Sequence, residues 1–229
     1  MRPAPTVVLL ACLALAPGAT AGTMKRTVQL GRSVDGRPIV AVETGARRGT
    51  PVLVVGCIHG NEPAGIAVAR RLEQFAPSDL DLWIVPVLNP DGRAANTRGN
   101  ADGVDLNRNF PYHWRPLNGV FDSGPRPLSE PEARIAYRLI LRIRPVVSVW
   151  FHQHLNLVYA SGGDAAVEHR FAAVSGLPYR RLPPLAGSAI NWQNHRLPGT
   201  TAFAAELPAG TPSRAAVERY ARAVLAAAR

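Results

Sequence analysis

Four apolar runs constrain this chain more than any other feature. Pro51–Ile58, Leu82–Leu88 and Val146–Phe151 are continuous stretches dominated by Val, Ile and Leu, and Thr201–Ala205 is a shorter one. A strand with one wet face alternates apolar and polar residues, whereas a run with no polar side is buried on both faces. The segments between the runs have a different period. Ala64, Val68, Leu72 and Phe75 recur at helical spacing, as do Ala136, Leu139, Ile140 and Ile143, and later Val217, Tyr220 and Val224. Doubly buried strands alternating with one-faced helices predict a single α/β domain. Its sheet should be mixed and largely parallel, flanked by helices. Ligands of such sheets collect beyond the carboxyl ends of the strands. The segments beginning near His59, Asn89, His152 and Glu206 should therefore share one rim.

Local signals set the boundaries. Thr27–Leu30 and Pro38–Val42 flank the turn dipeptide Asp35-Gly36 and read as an opening hairpin. Ser129-x-x-Glu132 has the spacing of a capping box ahead of a helix that Pro145 ends. Thr211-Pro212 reads as the start of the last helix. Asn89–Leu128 is long and rich in Gly, Pro and Asn, and a loop of that length inside a compact domain is usually functional.

The first residues read as a secretory leader. Arg2 gives a basic start, Val7–Ala16 is apolar, and Ala19-Thr20-Ala21 is a small-x-small cleavage site. This assigns residues 1–21 to the leader and 22–229 to one domain, exported to the periplasm or the medium. Leu9-Leu10-Ala11-Cys12 loosely resembles a lipoprotein processing site, which would anchor the product instead. The apolar run is short of the roughly 20 residues that span a bilayer, and no later run is longer, so no integral membrane segment is expected. With Cys12 lost alongside the leader, Cys57 has no partner and the fold must stand without a disulfide. Hydrophobic residues make up 47% and charged residues 18%, a balance that excludes disorder. The net charge of +10 is almost all arginine. It reads as a solvated basic surface or as attraction to an acidic partner such as cell-wall polymer. With no basic run interleaved with aromatics, nucleic acid is not expected as a partner.

Several polar residues sit where strands end. His59 and Glu62 follow the first buried strand and open a helix. An imidazole and a carboxylate three positions apart at such a turn can converge on one cation, and catalytic zinc takes three protein ligands and keeps a position open for water. The pair alone is equally a surface histidine beside a helix-start glutamate that suits the helix dipole. A third ligand should come from another strand end. His152 is the first residue to clear Val146–Phe151, and His154 is its rival. Glu206 ends an apolar strand, a costly place for a carboxylate unless it pairs with an arginine or serves as a general base. Arg98 and Arg108 lie on the long loop, where a guanidinium can bind a carboxylate through two parallel hydrogen bonds or stabilise an oxyanion.

Taken together, the strings HGNEPAG (59–65), NPDG (89–92), TRGN (97–100), GVDLNRNFP (103–111) and AELP (205–208), with His152 at a strand end, resemble the zinc metallocarboxypeptidase family of the carboxypeptidase A type. They cover roughly Val52 to Leu207. The chain is short for that family and is most similar to the compact bacterial branch that includes the murein peptide amidases. The resemblance implies a zinc carboxypeptidase-like catalytic domain that binds one zinc ion and cuts an amide bond in a peptide, with cell-wall peptide as a candidate. It implies His59, Glu62 and His152 as zinc ligands and Arg98 as the group that polarises the scissile carbonyl. Asn107 and Arg108 would clamp the substrate's free carboxylate, and Glu206 would be the general base.

The chain also departs from the family pattern. His152-Gln153-His154 replaces the usual small residue after the last ligand. The family's substrate-loop tyrosine has no match, since Tyr179 is poorly spaced. Asn191 stands where an acidic residue often precedes the tryptophan, which leaves the pocket's specificity open. Two other readings compete. One is an aminoacylase-type zinc deacylase of the succinylglutamate desuccinylase and aspartoacylase kind, which shares HGNE and DLNR strings. The other is an inactive cell-wall binding protein.

Overall fold

The computed structural model describes residues 23–229. The leader at residues 1–21 and Cys12 lie outside the described residues. β1 (Thr23–Arg32) and β2 (Pro38–Ala46) form the opening hairpin around Asp35-Gly36. The chain continues through β3 (Thr50–Val55), α1 (Ala64–Leu72), β4 (Leu80–Val85), α2 (Pro90–Ala95), α3 (Pro131–Ile143), β5 (Val147–Gln153) and β6 (Leu157–Ala160). It closes with α4 (Ala165–Ser175), β7 (Tyr179–Arg181), α5 (Ala189–Arg196), β8 (Thr201–Leu207) and α6 (Arg214–Ala227).

The eight strands make one mixed sheet in the order β1-β2-β4-β3-β5-β8-β6-β7. Its centre, β4-β3-β5-β8, is parallel and is built from the four apolar runs. Alternate residues of these strands feed two cores, as a pleated strand requires. Val52, Val54, Val147, Val149, Phe151, Phe203 and Ala205 pack beneath α1, α4 and α6. Leu53, Val55, Trp150, Ala202 and Ala204 pack beneath α3 and α5. Phe203 is fully buried and meets Phe171 of α4 edge-on at 5.0 Å. Truncating such an aromatic residue costs about 3–5 kcal/mol.

Three local expectations are corrected. The Ser129 capping box does not form: α3 starts at Pro131 with Glu130 at its N-cap, and the Ser129 hydroxyl donates to Glu130 Oε1 instead. Proline at the first helical position supplies the start without a side-chain cap. The last helix begins at Arg214, not at Thr211-Pro212, because the Ser213 hydroxyl caps the Ala216 N–H. The stretch 89–128 is not all loop, since α2 and two 3-10 turns (Leu106–Arg108 and Gly119–Phe121) fold within it.

Candidate active site

Three adjacent parallel strands bring the site together. β3 runs into the Gly56–Ile58 bend and delivers His59, β5 carries His152, and β8 carries Glu206 opposite it in register. Register partners in a sheet point to the same face, so His152 and Glu206 face the same space. Glu62 sits just ahead of α1. Gly60 lets this bend lie against α2, because a Cβ there would fall 1.9 Å from the carbonyl carbon of Gly92.

His59, Glu62 and His152 converge and are buried. His59 Nδ1 lies 3.0 Å from Glu62 Oε1, and His152 Nδ1 lies 2.9 Å from Glu62 Oε2. The two Nδ1 atoms are 3.2 Å apart. Tetrahedral zinc with bonds of about 2.0–2.1 Å separates its donors by roughly 3.3 Å, so this triangle has the right size for one such ion. Each Nδ1 faces its own Glu62 oxygen, so the two imidazoles and the carboxylate could also bind one cation between them. Among the described residues this is the one group of three suited to hold a metal. His154 is exposed and outside it. Burial opposes ionisation of Glu62, yet hydrogen bonds from His152 and His59 hold its carboxyl far below the usual range.

Asp105 organises the rest, although the sequence reading gives it no role. It is fully buried. Its Oδ1 lies 2.8 Å from His59 Nε2 and accepts the Asn107 N–H, and its Oδ2 accepts from Arg98 Nε at 2.9 Å. A carboxylate on the far nitrogen of a metal-facing histidine fixes the tautomer and orientation of the ring. Burial alone would raise the Asp105 pKa, but His59 and the charges of Arg98 and Arg108 outweigh it and keep the group ionised. The signal available in the sequence was the Asp105-Leu106-Asn107-Arg108 string itself.

The other expected residues line one cleft of about 960 Å³ beside the triangle. Arg98 also donates Nη1 to Glu62 Oε1 at 2.8 Å. Asn107 accepts the Ala189 N–H through Oδ1, and its Nδ2 has no partner among the described residues. Arg108 donates Nη1 to the Asn107 carbonyl. Burial lowers the Arg108 pKa, Asp105 raises it, and nearby Arg98 lowers it further. Gly187 is held against this turn with φ +66°, and a Cβ there would lie 1.9 Å from the Arg108 carbonyl oxygen. Glu206 lines the cleft with its Oε2 buried and unpartnered. Asn191 is not in the cleft wall: it ties Leu185 N–H to Ser161 and serves packing. Tyr179 is likewise elsewhere, its hydroxyl donating to Glu168. Cys57 is buried, with its thiol pushed up to about 12 chiefly by desolvation, so it is no nucleophile.

Comparison with known proteins places these features in context. The profile of the zinc carboxypeptidases matches residues 19–170. Murein peptide amidase A of Escherichia coli K12 is 34% identical over 147 residues, which span 58% of this chain and 61% of that protein. Carboxypeptidase SOL1 of Arabidopsis thaliana is 31% identical over 147 residues, 56% of this chain and 29% of that one. The crystal structure of murein-tripeptide amidase MpaA from E. coli O157 superposes with a TM-score of 0.71 and 28% identity, covering 91% of this chain and 94% of that one. Carboxypeptidase A of Helicoverpa armigera shares the fold with a TM-score of 0.74 at 19% identity, covering 89% and 68%. No helix of the described residues is long and apolar enough to cross a membrane.

Proposed function

Because this chain belongs to the zinc carboxypeptidase family, we propose that it is an exported zinc hydrolase that cuts an amide bond next to a free carboxylate in a cell-wall peptide. The observation that carries this reading is the buried triangle of His59, Glu62 and His152 with Glu206 directly across the strand pair. The likeness to murein-tripeptide amidase over nearly the whole chain supports the substrate class.

In this reading His59, Glu62 and His152 hold one zinc ion per chain. A zinc held there supplies a Lewis acid that polarises the scissile carbonyl and makes water acidic enough to attack near neutral pH. Glu206 accepts the proton shed by the attacking water and returns it to the leaving nitrogen. Its unpartnered oxygen leaves it free to do both. Arg98, tethered through Nε to Asp105, donates toward the oxygen that gains charge as the carbonyl becomes tetrahedral. Arg108 and the free Nδ2 of Asn107 hold the substrate carboxylate, which sets the scissile bond near a chain end. Asp105 keeps His59 Nδ1 facing the metal.

The test is zinc analysis of the purified protein together with mass spectrometry of digested cell-wall peptides. One equivalent of zinc and loss of a carboxylate-bearing residue or segment is the expected result. Intact peptides in the presence of bound zinc would remove the peptidase reading, and a protein that binds no zinc would remove the metal.

A further inference from the structure

Phe121 has no part in the hydrolytic scheme, yet its placement is unusual. It closes the 3-10 turn Gly119–Phe121, is 46% exposed, and lines the cleft. Its ring centroid lies 5.4 Å from the guanidinium carbon of Arg98 and 5.4 Å from that of Arg108. A single aromatic ring thus touches both arginines assigned to the substrate. Two guanidinium groups this near repel each other, and Arg98 does oppose the Arg108 charge. The electron-rich face of a benzene ring attracts a cation, most often arginine, so a ring shared by both offsets that repulsion and restricts where each can point. The turn is also anchored. The Asp122 carbonyl accepts the Asp105 N–H at 2.8 Å, and Asp122 N–H donates to Gly119 at 3.1 Å. The ring is therefore indexed to the same aspartate that holds His59 and Arg98.

We propose that Phe121 is a positioning residue that seats Arg98 and Arg108 together for a substrate carboxylate and its neighbouring amide carbonyl, and that it shields the Arg108–carboxylate pair from water. The proposal rests on the functional reading above. A shielded pair is stronger than a wet one because local screening is weaker. The role depends on an aromatic face as well as on bulk. Leucine should therefore fail at this position, while tyrosine and tryptophan should serve.

The experiment compares wild type with Phe121→Leu, Phe121→Tyr and Phe121→Trp on a peptide with a free carboxylate and on its amidated analogue. Exposure of the side chain spares the fold, which thermal unfolding checks. For the Leu variant, KM on the free acid should rise about tenfold with a smaller change in kcat, as expected for two partly exposed cation–π contacts. The amide should show no such rise, and the Tyr and Trp variants should recover the wild-type KM. A Leu variant equal to wild type, or equal losses on acid and amide, overturns the proposal. If wild type hydrolyses neither peptide, the functional reading falls, and calorimetric binding of the peptide acid decides Phe121 separately. Weaker binding to the Leu variant upholds the seat, and equal binding removes it.

Discussion

Replacing Asp105 by Asn tests the organisation of the site most directly. Three donors meet its two oxygens: His59 Nε2–H and the Asn107 N–H at Oδ1, and Arg98 Nε–H at Oδ2. Asparagine brings one oxygen and one NH2 group. If the oxygen stays toward His59, the NH2 opposes the Arg98 N–H. If the amide turns over, the NH2 opposes His59 and favours the tautomer with its proton on Nδ1, the nitrogen that faces Glu62 and the proposed metal. Either way a buried donor loses its acceptor, at about 1–3 kcal/mol. At about 1.4 kcal/mol per tenfold, this is roughly 5- to 150-fold in affinity. It agrees with the 10- to 100-fold losses that are usual for outer-shell carboxylates, about the range expected here. Zinc affinity is measured by competition with a chromogenic chelator, and kcat/KM is then measured at saturating zinc. Affinity should fall within that range, with a further loss in kcat/KM from the misdirected Arg98. Unchanged zinc affinity in a protein that unfolds at the wild-type temperature refutes the reasoning.

Other changes read out single roles. Glu206→Gln keeps the size and polarity of the side chain, so zinc should stay bound while kcat falls by roughly 10²- to 10⁴-fold; unchanged turnover removes the base assignment. Arg108→Ala should raise KM on free-carboxylate peptides far more than on amidated ones, and an equal effect on both argues against a clamp. Glu168 in α4 has an unpartnered buried Oε1, and burial pushes its carboxyl from 4.5 up to about 7, against the hydrogen bond from Tyr179. The folded state then holds this proton more tightly than the unfolded chain does. Stability tied to Glu168 is full below about pH 4.5 and declines as pH climbs through about 7. Glu168→Gln should match wild type at about pH 4 and exceed it by roughly 1–3 kcal/mol at about pH 8 in urea unfolding, and equal stability at the higher pH would contradict the burial argument.

The central strands were legible because burial on both faces leaves no room for polar residues, and Pro51–Ile58 and Val146–Phe151 carry that mark openly. β6 and β7 were not, because they are short and the sequence around them has no strict alternation. α4 and α5 were also missed. α4 is mostly alanine and valine with Glu168 buried among them, and α5 sinks Asn191 and Gln193, so neither shows a clean apolar stripe. At the site, residue types and strand-end positions singled out His59, Glu62, His152 and Glu206, and the structure places the last three on one cleft with His59 buried against Glu62 and His152. His152 and His154 would share a face if the strand continued; what separates them is that β5 ends at Gln153 and leaves His154 exposed. Asp105 showed only as part of the Asp105-Leu106-Asn107-Arg108 string, because its contact with His59 joins distant segments, and spacing along the chain does not reveal that Phe121 lies against Arg98 and Arg108.

The strand order has a consequence for assembly. β8 lies between β5 and β6, although β5 and β6 are separated in the chain by only a short connection. A nascent polypeptide extended as far as Ser161 already contains His59, Glu62 and His152 but no Glu206. The residues proposed to hold the metal are therefore synthesised ahead of the group proposed to move the proton. Glu206 takes its place opposite His152 only when Thr201–Leu207 pairs with β5, so the parts of the proposed site come from segments made at different times.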